Sequence, residues 1–451
     1  MIRKLALFPL LICALQLSST AQTTPPLATP ERATISFIDA NQQASNDLLT
    51  RLVNINSGTH NLDGVRAIAD IMNAELSQLG FKVSFTPMDE IKRAGVLIAE
   101  HPCAEVGKCG KRMLLIGHMD TVFEKTSPFQ SYSVKDNIGT GPGVNDMKGG
   151  LVIMLYALKA MKAAKVLDRA EITIVLSGDE EDHGEPTTVS RRDMIAAAHH
   201  SDVALEFEGT PRTNGIFYGS VSRRSSITWR INATGETGHS SGIFSDRMGF
   251  GANYELVRIL NTFRSELPEP SLTFNIGLIA GGTTVHVDEA GNNASITGKD
   301  NVVAPAAYAS GDIRTISNEQ TARVEKKMQQ IVAKHLPKTN ASITFGEGYP
   351  AMPPTAQNRA LLAILNRANT SLGFAAMPEL DPMKRGAGDV AFVADIVPGL
   401  AGVGATGEGA HAPGETIDLS AQPINTKRDA LLMFRLSKIE QTADLTKVAV
   451  Q

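Results

Sequence analysis

The chain has 451 residues, carries 47 acidic against 43 basic side chains, and is only 5% aromatic. That length exceeds one ordinary hydrophobic core and suits two or three domains. The acidic balance and scarce aromatics exclude nucleic acid as the main partner, because phosphate neutralisation needs clustered Lys and Arg.

In chain order, residues 1–21 read as a cleavable signal peptide. Arg3 and Lys4 are followed by an apolar stretch from Leu5 to Leu17 and by the small residues Ser19-Thr20-Ala21. The apolar run is short for a membrane span, so no membrane attachment is expected after cleavage, and an uncleaved anchor is the rival reading. The mature chain is expected to be periplasmic or secreted. Losing Arg3 and Lys4 moves the formal net charge from -4 to -6. Residues 22–30, rich in Thr, Pro and Ala, read as a flexible leader.

Helical spacing of apolar residues then runs through Ile35, Ile38, Leu48, Leu49, Leu52 and Val53, and again from Leu62 to Leu79, where Gly80 stops it. Strands are expected at Lys82–Thr86, Gly95–Ala99 and Met113–Gly117. A long apolar helix is expected at Gly149–Ala164, a buried strand at Glu171–Ser177, a helix at Asp193–His199 and a strand at Val203–Phe207. Strands alternating with helices predict an α/β layer whose mixed sheet is largely parallel. Between the first two of these strands and the helix, Cys103 and Cys109 are the two cysteines left in the mature chain. In an oxidising compartment they are expected to pair; the rival, a metal site, lacks further ligands nearby.

The pattern changes near Thr213. Gly215–Val221 and Ser226–Ala233 alternate like half-exposed strands. A helix (Asn253–Leu267), strands near Phe274–Ile279, Ala294–Thr297 and Ala309–Arg314, a charged helix (Glu319–Leu336) and a strand at Ser342–Phe345 follow. This predicts a smaller α+β lid, with a four-stranded antiparallel sheet and two helices, inserted at 215–346 between two parts of one catalytic domain, 31–214 and 347–451.

Five clusters carry chemistry. His118 and Asp120 stand just past a buried strand, where ligands of open α/β sheets sit. Asp146 lies among five glycines between Gly139 and Gly150, more than an N-cap needs. Asp179-Glu180-Glu181-Asp182 crowds four acids after another buried strand, a charge density that a cation relieves. Glu206 and Glu208 share one face of a strand. His411 sits in a late Gly- and Pro-bounded turn. Imidazole with carboxylate suits zinc or a related transition metal in an open site, not thiolate-based structural zinc.

Together these motifs resemble the co-catalytic zinc metallopeptidase family of glutamate carboxypeptidase, acetylornithine deacetylase, succinyl-diaminopimelate desuccinylase and aminoacylase, nearest in motifs to glutamate carboxypeptidase. The likeness runs from about Asp39 to the C-terminus. It implies two Zn2+ ions, with Co2+ or Mn2+ as substitutes. Asp146 bridges them, His118 and Glu208 complete one site, and Glu181 and His411 the other. Glu180 is then the general base, Asp120 orients His118, and a metal-bridged hydroxide cleaves an amide beside a free carboxylate in a peptide or N-acyl amino acid. In the lid, Thr237–Gly242 places His239 as a group that reaches a neighbouring active site. Asn301 and Arg314 match a polar amide and a carboxylate-binding Arg, and Arg385–Asp389, with Gly386, resembles a substrate loop. The family's lids often pair into a homodimer. The sequence departs from the family at 182–189 and 285–299, where substrate shape is read.

Other readings are weaker. Gly238–Gly242 fits a serine nucleophile elbow, but no helix follows at once. Gly402–Gly407 fits a dinucleotide fingerprint that Pro413 opposes. His183, His199 and His200 are expected on the surface. An inactive binding-protein relative would not need the full ligand set with Glu180.

Overall fold

The computed structural model describes residues 27–104, 107–289 and 291–449. The expected signal segment and most of the leader lie outside these residues. Thr29 and Pro30, expected in the leader, instead open the helix Thr29–Ala40. Pro suits a first helical turn, where its missing N–H has no partner to lose, and the Glu31 carboxylate accepts the Ala28 N–H at 2.8 Å. Among the described residues no helix is long and apolar enough to cross a membrane.

The larger sheet has six strands. Their spatial order is Lys82–Met88, Arg93–His101, Ile172–Ser177, Met113–His118, Val203–Glu206 and Gly399–Leu400. The last four run parallel and the first two are antiparallel additions at one edge. Met113–His118 is buried along its whole length, as a central parallel strand covered on both faces must be. Its residues alternate between two cores. Leu115 joins the core built with the apolar helix Gly149–Ala163, while Leu114 and Ile116 join a smaller core with Met194 and Val390 on the opposite face.

A small antiparallel sheet lies beside the large one. It joins Ser133–Lys135, Ile138–Thr140, Thr416–Asp418 and Gly407–Glu408. Thr140 pairs with Thr416, so the segment leading to Asp146 lies against the segment that follows His411.

The lid sheet comprises Ile227–Gly235, Thr273–Phe274, Leu278–Gly282, Ala306–Arg314 and Thr339–Phe345. It is four strands wide, because Thr273–Phe274 and Leu278–Gly282 both pair with one edge of Ala306–Arg314. Helices Gly251–Glu266 and Asn318–Val332 contribute Leu256, Ile259, Val324 and Met328 to its core. The stretch 285–299 falls largely within a hairpin of Thr284–Val287 and Ala294–Thr297. Gly215–Val221 does not join the lid sheet. Only Ile216–Phe217 is a strand, paired with Arg212–Thr213, because Val221 is drawn into the catalytic core and Ser220 bridges Ala401.

Cys103 and Cys109 form a disulfide with an S–S distance of 2.06 Å. Trp229, the chain's single tryptophan, is fully buried in the lid and meets Phe263 edge-on at 6.0 Å between ring centroids. Phe263→Ala should destabilise the lid by about 3–5 kcal/mol and shift Trp229 emission to the red. An unchanged emission maximum in the folded variant would show that Phe263 does not shield the indole.

Candidate active site

Three of the acid- and imidazole-bearing segments come from adjacent parallel strands. His118 ends Met113–His118, Glu180 and Glu181 follow Ile172–Ser177, and Glu208 follows Val203–Glu206. The other two arrive through the small antiparallel sheet. His118 Nε2 lies 3.1 Å from one oxygen of Asp146, and His411 Nε2 lies 3.2 Å from the other and 3.1 Å from Glu181. Two imidazoles thus approach opposite oxygens of one carboxylate. Donor atoms of His118, Glu180 and Glu208 lie within 4.8 Å of one another, as do those of His118, Asp146 and Glu181.

Asp120 is fully buried and does more than face His118, whose Nδ1 is 3.4 Å away. It accepts the backbone N–H of Glu180 at 3.0 Å and of Glu181 at 3.1 Å, and the Thr59 hydroxyl at 2.7 Å. It therefore ties the imidazole to the acidic loop.

Protonation shows how crowded the charges are. Burial pushes the Glu180 carboxyl well above its usual range against the pull of His118, and Glu208 adds to the rise. Burial and Asp146 push Glu181 up to about 7. Hydrogen bonds to Asp146 and Glu181 raise His411 to about 11. His118 is raised well above its ordinary value because its bonds to Asp120 and Asp146 outweigh burial. Glu181 Oε1 is buried with no hydrogen-bond partner. Imidazoles converging on shared carboxylates, with an orphaned buried carboxylate oxygen, fit a site for cations that replace protons.

The cleft holding these groups has a volume of about 460 Å³, and Arg314, Arg385 and Gly386 line it together with Asp146, Glu180, Glu181, Glu208 and His411.

The chain matches the model of peptidase family M20/M25/M40 over residues 114–431. It belongs to this family of metal-dependent hydrolases. It is 28% identical to carboxypeptidase G2 of Pseudomonas sp. (strain RS-16) over 402 residues, 86% of this chain and 88% of that protein. It is 28% identical over 262 residues to a probable succinyl-diaminopimelate desuccinylase of Staphylococcus aureus (strain MRSA252), 55% of this chain and 60% of that protein. Its fold is similar to aminopeptidase PepT of Bacillus cereus ATCC 10987, with TM-score 0.68, 17% identity and coverage of 88% of this chain and 99% of that one. YxeP of Bacillus subtilis, described as a dinuclear metal-binding peptidase, gives TM-score 0.60 at 16% identity, covering 89% and 99%.

In this M20 chain the lid residues divide. Arg314 faces the cleft, its Nε donating to Asp312 at 2.9 Å. His239 and Asn301 do not line it. They are exposed and adjacent to each other, with Ser240 N–H donating to the Asn301 carbonyl at 2.9 Å. Ser240 sits in a single 3-10 turn, and the next helix begins only at Gly251, so there is no nucleophile elbow. Gly402–Gly407 leads into a strand, not a helix. His199 and His200 are exposed, but His183 is not a surface residue. It is half-buried with its ring edge-on to Tyr349 at 5.4 Å, because the loop after Glu181 folds back over Ile91 and Arg93.

Sequence reasoning missed three groups at the site, Glu415, Arg223 and Tyr349, and gave Arg385 only as part of a substrate loop, without its contact to Glu208. Glu415 accepts the backbone N–H of Gly143, Asn145 and Asp146 at 3.0, 2.7 and 2.8 Å, fixing the loop that presents Asp146. Its spacing from His411 within one motif was the available signal. Arg223 sits 2.6 Å from both Glu206 and Glu208, Arg385 approaches Glu208 at 3.4 Å, and Tyr349 donates to the Glu180 carbonyl at 2.6 Å. None of these has a local sequence signal that names its partner.

Two outcomes are expected. Glu415→Ala, which strands three buried N–H groups, should cost about 3 kcal/mol or more and lower the metal content of the purified protein; wild-type stability and metal content would remove Glu415 from this role. Cation loading near neutral pH should release at least two protons, one from each imidazole and a further fraction from Glu181, so apparent affinity should rise with pH as the competing protons leave. Calorimetry in buffers of different ionisation enthalpy measures the release, and a value of zero would contradict the protonation described.

Proposed function

We propose that the chain is a dinuclear zinc exopeptidase of carboxypeptidase type, cleaving a peptide or amide bond next to a free carboxylate. The observation that carries the reading is the Asp146 carboxylate set between His118 and His411, in a cleft that Glu180 and Arg314 also line. Asp146 would be shared by both ions, with His118 and Glu208 on one and Glu181 and His411 on the other. Ions bound there would supply Lewis acidity and water activation.

The chain's own residues do the rest. Glu180 takes a proton from the attacking water and delivers it to the leaving amine nitrogen. Asp120 holds the His118 ring and the Glu180 and Glu181 peptides in register. Arg314 grips the substrate carboxylate with its planar fork. Gly386 leaves room beside it, since a Cβ there would meet only the Arg314 guanidinium, at 3.9 Å.

The lid exposes Tyr254, Val257 and Ile279 by 51%, 63% and 59%, an apolar set that supports pairing of two lids into a homodimer. In such a dimer His239 and Asn301 would serve the partner's cleft. The Cys103–Cys109 bridge supports an oxidising compartment, hence export by residues 1–21 and a periplasmic or secreted chain.

The test is a screen of zinc- or cobalt-loaded mature protein against dipeptides, C-terminal glutamate peptides and N-acetyl amino acids. Turnover of peptides is expected; turnover of N-acyl amino acids alone would make the chain a deacylase. Glu180→Ala should lower kcat by about 10²–10⁴-fold while retaining both metals. A near-normal rate in that variant would refute the base assignment.

A further inference from the structure

Two strands of chain join the lid to the catalytic body, and they run side by side. On the outgoing strand Arg223 bridges Met352, and Ser226 bridges Tyr349 on the returning one. Arg223 and Tyr349 are both buried, and each contacts a different part of the machinery described above.

Arg223 is a hub. One nitrogen lies 2.6 Å from Glu206 Oε2 and 2.6 Å from Glu208 Oε2. Its Nε donates to the Gly386 carbonyl at 3.0 Å, and its remaining nitrogen donates to the Ala387 carbonyl. The guanidinium thus anchors the glycine-rich loop while neutralising two buried acids. A planar fork can do this; a lysine ammonium at the same place keeps the charge but not the directed set of donors.

Tyr349 serves the acidic loop. Its hydroxyl donates to the Glu180 carbonyl at 2.6 Å and accepts from Arg191 Nη2 at 2.9 Å. Arg191 is itself fixed by Asp179 and Asp389, both at 2.7 Å. With Asp120 on the Glu180 N–H, the base is held at both of its peptide groups, one of them from the hinge.

We infer that Arg223 and Tyr349 are positioning residues through which the lid junction sets the active site, Arg223 for the substrate loop and Tyr349 for the base. The inference rests on the reading of Glu180 as base and Gly386 as a substrate contact. It requires opposite kinetic signatures from the two positions. Tyr349→Phe removes one hydroxyl and nothing else, so kcat should fall about ten-fold with KM within two-fold. Arg223→Lys keeps the buried charge but frees the loop, so KM should rise about ten-fold with kcat within three-fold. Both are measured well below the melting temperature, with zinc content equal to wild type. A purely structural role would lower the melting temperature and leave both constants unchanged.

Amide exchange gives the same answer without turnover. Residues 179–184 should exchange faster only in Tyr349→Phe, and residues 385–390 only in Arg223→Lys. Unchanged exchange in both variants, or faster exchange spread over the whole catalytic body, overturns the inference. If the wild type hydrolyses no amide, the proposed function fails, and the exchange pattern still decides whether these residues position the two segments.

Discussion

Six carboxylates, those of Asp120, Asp146, Glu180, Glu181, Glu206 and Glu208, converge at one end of a sheet. Like charges in a region shielded from water repel strongly, and much of the architecture answers that repulsion. Asp120 is neutralised by backbone N–H groups and an imidazole. Glu206 and Glu208 share Arg223. Asp146 and Glu181 have only imidazoles, and Glu181 keeps an oxygen with no partner. The compensation is least complete at Asp146 and Glu181, which is where a cation would act.

Holding such a set together needs a scaffold stiff enough to resist it. Neighbouring parallel strands supply one, since their ends lie only ~5 Å apart and their apolar bodies are buried on both faces. Asp146 and His411 could not come from that edge without displacing its strands. They come from two distant loops clamped by the small antiparallel sheet and by Glu415, whose three accepted N–H bonds fix one loop from the other. Loop-closure cost grows slowly with length, so a ligand far along the chain adds little entropic penalty once that clamp forms.

This division explains what the sequence made legible. The three longer parallel strands were readable because burial on both faces demands unbroken apolar runs, and the ligand motifs follow those runs directly, as at Ile116-Gly117-His118; the two-residue strand Gly399–Leu400 was not. The small sheet was not, since strands of two or three residues carry no periodicity. The lid's edge strand was read as one piece but breaks at Asn275–Gly277. There Gly311, lacking a side chain, admits the Asn275 carbonyl to where a Cβ would stand. Arg223 and Tyr349 were invisible for a different reason. Their partners lie across the fold, at Gly386 and Glu180, and nothing in a single sequence pairs residues so far apart.

The cleft also has a polarity. The acids stand on the catalytic body and Arg314 stands on the lid, held by Asp312 and facing Gly386. On the proposed function, a substrate carboxylate held by Arg314 would lie in the same cleft that Glu180 lines. The charge of Arg314 would then favour a chain end, because an interior peptide group offers the guanidinium no anion to grip. That preference would act through the lid, which joins the catalytic body by the two strands that carry Arg223 and Tyr349.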